Sequence, residues 1–149
     1  MNSRTGIGIG WIACVVLTAC ATATSALTLH VADLNVDLKK FLRDHPMAEG
    51  QSIRNDLIAN SPTASVHIVQ IRDAEKPHVH AEHDLRVVVV RGRGTIHIRD
   101  RTFRAGVGSV FEIEKGVPHF FVNGGPGPAA ALVTFTPPFD GKDIVPVSP

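Results

Sequence analysis

Residues 78 to 92 read His-Val-His-Ala-Glu-His-Asp-Leu-Arg-Val-Val-Val-Val-Arg-Gly. The four consecutive valines favour a β-strand, because β-branched side chains pack well on a pleated sheet. His78 and His80 stand two residues apart, and such residues point to the same face of a strand. The stretch therefore predicts extended chain that presents two imidazoles on one side at its start.

A third histidine, His119, follows Gly116-Val117-Pro118 further along the chain. Segments that are distant in sequence can be neighbours in a barrel, and imidazole is the commonest metal ligand in proteins. Three imidazoles that face one cavity are typical of a metal site. We therefore expect one divalent metal on His78, His80 and His119.

Short β-branched segments separated by turn residues fill the chain after residue 63. Their regular spacing leaves no room for helical crossovers, so it predicts an all-β sandwich or barrel. The predicted strands cover residues 64–72, 85–91, 95–99, 109–113, 119–122 and 129–136.

One short helix is predicted before these strands, over residues 33–44. Asp33 can cap its start, and His45-Pro46 ends it because a residue before proline avoids the α region. Residues 33–62 then form a helical and extended N-terminal arm. The apolar residues that recur at helical spacing are Leu34, Leu38, Phe41 and Leu42.

The start of the chain has the layout of a secretory leader. Arg4 precedes an apolar run of thirteen residues from Ile7 to Ala19, and small residues follow. A spanning helix needs about 20 mainly apolar residues, so an uncleaved membrane anchor is the weaker alternative. We expect residues 1–19 to be a signal peptide and residues 20–32 to be a tether.

Leu17-Thr18-Ala19-Cys20 resembles the lipobox of bacterial lipoproteins. This resemblance implies cleavage before Cys20 and acylation of Cys20, and two acyl chains hold a protein stably on a membrane. We expect a lipid-anchored envelope protein facing the periplasm, on either the inner or the outer membrane. A soluble secreted protein is the alternative.

Charge and cysteine content exclude other classes. The chain has 15 basic and 14 acidic residues, a formal net charge of +1, which gives no reason to expect a nucleic-acid partner. Cys14 lies inside the leader, so the mature chain would retain only the acylated Cys20. No internal disulfide is then available.

Residues 66 to 136 resemble the cupin family. His78, His80 and Gly92 match positions of its first motif, and the 15 residues 93–107 separate the motifs. The resemblance implies a double-stranded β-helix or jelly-roll barrel over residues 63–138, followed by a tail at 139–149, and it suggests a homodimer. The second motif is matched by Gly108, Gly116, His119 and Asn123, with Glu114 in place of its proline.

The first motif departs from the family where a ligand glutamate is expected. Counting back from Gly92 leads to Leu85, whereas counting on from His80 leads to Asp84. One residue along a strand means the opposite face, although a bulge at residues 83–84 could restore Asp84 to the cavity as fourth ligand. The alternative is a three-histidine site in which His83 or Glu82 contacts one of the metal-binding histidines and orients its ring.

The implied function is metal chemistry on a small molecule. The metal would be Fe, Mn, Zn or Ni, and the family suggests a dioxygenase or an isomerase. The alternatives are a non-catalytic envelope module that binds a metal or small ligand, and a barrel with a vestigial site. Residues 87–90, Phe111, Phe120 and Phe121 should make the core and an apolar pocket. His67 and His97 are expected at the solvent face or barrel mouth.

Overall fold

The computed structural model describes residues 27–31 and 34–148. The predicted signal peptide, Cys20, most of the tether and Asp33 lie outside these residues. In the described part of the chain, no helix has the length and apolar character needed to cross a membrane.

The regular structure of the described chain is antiparallel strands and one short helix, which confirms the predicted all-β class. The first elements are β1 (Thr28–Val31), β2 (Leu34–Asp37) and α1 (Leu38–Asp44). The barrel strands follow: β3 (Ile53–Asn60), β4 (Ser65–Ile71), β5 (His78–Val79), β6 (Asp84–Arg91), β7 (Arg93–Ile98), β8 (Arg101–Gly106), β9 (Val110–Ile113), β10 (His119–Asn123), β11 (Ala129–Thr136) and β12 (Val145–Pro146).

Two five-stranded sheets carry the domain, and β1 and β2 form a separate hairpin. One sheet has the order β3-β4-β11-β6-β9, and the other has the order β12-β5-β10-β7-β8. The inner faces of the two sheets share one apolar core, because β-branched and aromatic side chains alternate inward along each strand. Members of this core from both sheets include Ile71, Leu85, Val89, Ile96, Phe121 and Val133.

The helix is shorter than predicted and starts later. Residues 34–37 pair with β1 as a strand, so the backbone bonds of the hairpin replace the first helical turn. The cap is Asp37 rather than Asp33: the Lys40 N–H donates to Asp37 Oδ1 over 3.0 Å. Leu38 and Leu42 are buried against the outer face of the first sheet, where they contact Ile68 and Ala130.

Candidate metal centre

Two adjacent strands and the loop after one of them bring the three predicted histidines together. His78 begins β5 and His119 begins β10, and the two residues are directly paired across these strands. His80 follows β5. One ligand atom from each of the three side chains lies within 4.8 Å of the others. The ring centroids are 4.4 Å apart for His78 and His119, 5.2 Å for His78 and His80, and 5.6 Å for His80 and His119.

Backbone carbonyls fix two of the three rings. His78 Nδ1 lies 2.8 Å from the Lys76 carbonyl oxygen, and His119 Nδ1 lies 2.9 Å from that of Val117. A carbonyl oxygen only accepts, so each Nδ1 carries the proton and donates. The Nε2 lone pair of each ring is therefore left free for a metal, which is how ligand histidines are usually oriented.

His80 differs, because its Nδ1 is buried and has no hydrogen-bond partner among the described residues. Burial, and after it the neighbouring His119 and His78, lower the pKa of His80 to about 4, with the charge of Asp143 opposing them. Burial also lowers the pKa of His119 to about 4, with the Val117 contact opposing.

Neutral imidazole is the form that binds a metal. Three buried rings, with the unpaired Nδ1 of His80 among the described residues, fit a divalent ion held by three histidines, as in many catalytic sites that keep an open position. The donor set thus suits a metal.

The structure does not bring Asp84 to this cluster. Its side chain is exposed, and Asp84 Oδ1 accepts a hydrogen bond of 2.9 Å from the Lys115 N–H. The neighbouring Leu85 is buried and lines the cavity instead. The register of β6 with β11 is regular from its first pair at Asp84 and shifts only between Val89 and Arg91, so no bulge turns Asp84 inward. Strand alternation therefore turns Asp84 outward.

A second group of buried ligand-type side chains adjoins the first and shares His80 with it. One atom each of His80, His83 and Asp143 lies within 4.8 Å of the others. Asp143 accepts hydrogen bonds from His83 Nδ1 and from the N–H groups of Ala81 and Glu82, the latter two at 2.9 Å. Partial burial raises the pKa of Asp143, but these donors outweigh it and lower the pKa overall. Asp143 is therefore ionised at neutral pH.

A cavity of about 310 Å³ lies beside the three histidines. Its volume is at the small end of ligand pockets, and a mainly apolar wall suits a small organic molecule. Of the four valines, only Val87 and Val89 face it, because strand alternation turns the other two outward. Phe120 also points away, where it stacks on His97. Other apolar wall residues are Leu85, Ile96, Phe111, Phe121 and Phe135.

Sequence reasoning missed Glu75, which also lines this cavity. Glu75 Oε2 accepts a hydrogen bond of 2.9 Å from the Phe121 N–H. Burial raises the pKa of Glu75, while the nearby His78 and the Phe121 hydrogen bond lower it. Nothing in the sequence signals this role, since a glutamate before Lys76 in a polar turn reads as a solvated loop residue.

His67 was expected at the solvent face or the barrel mouth, and the structure buries it instead. The ring is buried inside the barrel, where burial lowers its pKa. Its Nδ1 lies 2.8 Å from Asn55 Oδ1 and its Nε2 lies 2.9 Å from Ser65 Oγ. His67 thus ties β3 to β4, and the edge of its ring meets Phe135.

Comparison with known proteins identifies the class of barrel that carries this site. A family model described as the cupin domain matches residues 65–135. An uncharacterized protein of Aquifex aeolicus (strain VF5) is 37% identical over 85 residues, which cover 57% of this chain and 69% of that protein. The chain belongs to the cupin family.

Solved structures support the same fold. KdgF from Halomonas sp. is similar with a TM-score of 0.58 and 23% identity, covering 66% of this chain and 91% of that one. Streptomyces Pac13 in a structure with uridine is similar with a TM-score of 0.55 and 18% identity, covering 65% of this chain and 79% of that one. These likenesses confirm the predicted double-stranded β-helix.

Proposed function

We propose that this cupin binds one divalent metal through His78, His80 and His119 and converts a small, largely apolar organic molecule. The observation that supports the proposal most is the set of three buried rings beside an apolar cavity of about 310 Å³. Three protein ligands leave further coordination positions for a substrate, as catalytic metal sites require.

The chain's own residues divide the work at this site. His78 and His119, fixed through their Nδ1 atoms, hold their other nitrogens toward one point. The apolar wall takes up the organic part of a ligand and excludes water, which strengthens electrostatic interactions inside. A divalent metal bound there supplies a Lewis acid, or an oxygen-activating centre if it is iron or manganese.

Glu75 has the position of a proton-handling group in this proposal. Among the described residues that line the cavity, Glu75 is the one that carries a carboxyl group. The Phe121 N–H engages Oε2 of Glu75, and no donor of the described residues engages Oε1, which can accept a proton from a ligand or return it. A carboxyl group whose pKa is raised by burial is closer to the working range of an acid or base. These features support an oxidation or an isomerisation of the bound molecule.

A panel of small organic acids, alcohols and nucleosides tests the proposal on protein loaded with iron, manganese, zinc or nickel. We expect oxygen consumption or substrate isomerisation with at least one member of the panel. Glu75→Gln should reduce turnover while keeping the metal, and His78→Ala should lose both. Ligand-induced shifts in melting temperature without turnover would instead support a metal-binding envelope module.

We further propose that Cys20 anchors the protein to the envelope through lipid. The proposal rests on the leader-like sequence that precedes Cys20. Metabolic labelling with a fatty acid should mark the wild-type chain, and Cys20→Ser should abolish the label and release the protein from membranes. Equal labelling of the Cys20→Ser chain would contradict this assignment.

A further inference from the structure

The end of the chain lies across the loop that carries the proposed metal ligands. We call residues 139–147 the C-terminal strap. Its strand β12 pairs with β5, where Pro146 stands opposite His78. The Val147 N–H donates to the Pro77 carbonyl oxygen over 3.1 Å. At its other end, the Phe139 N–H donates to Ser65 Oγ over 2.9 Å. The strap therefore belongs structurally to the metal centre, although it follows the matched domain.

Asp143 is the residue of the strap that reaches deepest into this loop. Its side chain is 10% exposed, and it accepts two backbone N–H groups and the His83 ring. The two backbone donors, Ala81 and Glu82, directly follow His80. Asp143 thus fixes the chain immediately after a ligand, from a point more than sixty residues away in sequence.

The three histidines are not held alike. His78 and His119 each donate through Nδ1 to the carbonyl oxygen of the residue two positions earlier. His80 has no such contact, and within the described part of the chain its buried Nδ1 has no hydrogen-bond partner. The carboxylate of Asp143 faces this nitrogen, with Oδ2 3.9 Å from His80 Nδ1. A movement of about 1 Å would bring the two atoms to hydrogen-bond distance.

We propose that Asp143 is the positioning residue for His80: its carboxylate accepts a hydrogen bond from the Nδ1–H of His80 and so directs Nε2 to the metal. It supplies from the strap the contact that backbone carbonyls supply to His78 and His119. This inference rests on the proposed metal function of the three histidines. A carboxylate behind a ligand imidazole fixes its orientation and raises its basicity, and loss of such a partner typically weakens metal binding about 10- to 100-fold.

Cobalt(II) titration of the metal-free full chain tests this role, because the visible absorption of bound cobalt reports its ligand geometry. Asp143→Asn should bind cobalt about 10- to 100-fold more weakly than wild type, with a changed visible spectrum. Asp143→Glu, which keeps the charge, should recover part of the affinity. The matched control is Asp140→Asn, because Asp140 lies on the same strap, is exposed and, among the described residues, contacts Lys142 alone as a donor. This control should match wild type in affinity and spectrum.

A measurement on the wild-type chain keeps the inference testable if Asp143→Asn fails to fold. Nitrogen-15 NMR of the zinc-loaded protein should show His80 bound through Nε2, with a slowly exchanging proton on Nδ1. Coordination through Nδ1 of His80 would overturn the inference. Binding of a second cobalt ion by His80, His83 and Asp143 would overturn it too, because Asp143 would then be a ligand.

The variants separate this inference from the proposed function. If His78→Ala binds cobalt like wild type, the metal site itself is misassigned. If His78→Ala loses cobalt while Asp143→Asn keeps wild-type affinity and spectrum, the metal site stands and only the positioning role fails. A fall in melting temperature alone in Asp143→Asn would show a purely structural contact and would overturn the inference.

Discussion

Gly94 lies in β7, opposite Asn123 of the neighbouring strand β10. A Cβ atom added to it would stand 2.1 Å from the Val122 carbonyl oxygen and 2.5 Å from Cζ of Phe121. Both distances are far below van der Waals contact, so the strand and the aromatic ring would have to move. Phe121 also lines the cavity, and its N–H holds Glu75. The absence of a side chain at Gly94 thus allows Phe121 to take its position in the cavity wall.

We expect Gly94→Ala to lower the free energy of unfolding by about 2–3 kcal/mol, because overpacking of this kind forces backbone shifts. Gly106→Ala is the matched control, since Gly106 also lies in a strand and has no atom within 4 Å of the added Cβ. Urea unfolding of both variants checks the prediction. Equal stability of the two variants would contradict the prediction and would show that Val122 and Phe121 can move away from residue 94 at little cost.

At the residue scale, the sequence predicts which face of a strand a side chain occupies, because regular alternation determines it. The spacing of His78 and His80 places both on one face, and the structure brings His119 to them. Asp84 could face the histidines only if the strand departed from regular alternation, and the strand does not do so there. Glu75 and Asp143 could not be predicted, because their roles come from long-range packing: Glu75 meets a backbone N–H 46 residues away.

The helix α1 shows how a short element depends on its contacts. Seven residues form too few hydrogen bonds to persist alone, so tertiary packing must stabilise the helix. Leu38 is 3% exposed and packs with Ile68, which is fully buried. The buried Gln70 side chain also donates to the carbonyl oxygen of His45, directly after the helix, over 2.8 Å. These contacts fasten the helix to the outer face of the barrel.

Leu38→Ala should therefore cost about 2–4 kcal/mol of unfolding free energy, the usual range for a buried leucine. The control is Lys39→Ala, because Lys39 is exposed on the same helix and its loss should change stability by less than about 0.5 kcal/mol. Thermal unfolding followed by circular dichroism compares the two. A Leu38→Ala protein as stable as Lys39→Ala would mean that α1 is not docked in solution.

At the scale of elements, six of the barrel strands follow from β-branched runs between turn residues. The strands β3 and β8 are not predicted, because their sequences Ile-Arg-Asn-Asp-Leu-Ile-Ala-Asn and Arg-Thr-Phe-Arg-Ala-Gly carry many polar residues. Both are edge strands, where one side of the strand faces solvent and polar residues are favoured. The two-residue strands β5 and β12 are too short to leave a periodic signal, and they form because β5 pairs with both β10 and β12.

The whole molecule buries several neutral histidines, and this links its stability to pH. Burial lowers the pKa of His80 and His119 to about 4 and also lowers that of His67. In the unfolded chain a histidine has a pKa of about 6.5, so below that pH the unfolded state binds more protons than the folded state. The stability that these histidines contribute is complete above about pH 6.5 and is lost as the pH falls toward about 4.

We expect the free energy of unfolding of the metal-free protein to fall by about 3 kcal/mol between pH 7 and pH 4.5. Urea unfolding at a series of pH values checks this prediction. His119→Gln should flatten the profile, because it removes one of the groups that must take up a proton on unfolding. A stability that stays constant over this range would contradict the assignment of neutral, buried imidazoles.

The central claim is that His78, His80 and His119 hold one divalent metal. Elemental analysis tests it most directly, on full-length protein purified without chelator from cells supplied with iron, manganese, zinc or nickel. We predict about one metal ion per chain in wild type and in His97→Ala, whose ring stacks on Phe120 apart from the cluster, and none in the His78→Ala/His80→Ala double variant. A wild-type chain without metal under every supplement, or a double variant that keeps its metal, would contradict the account.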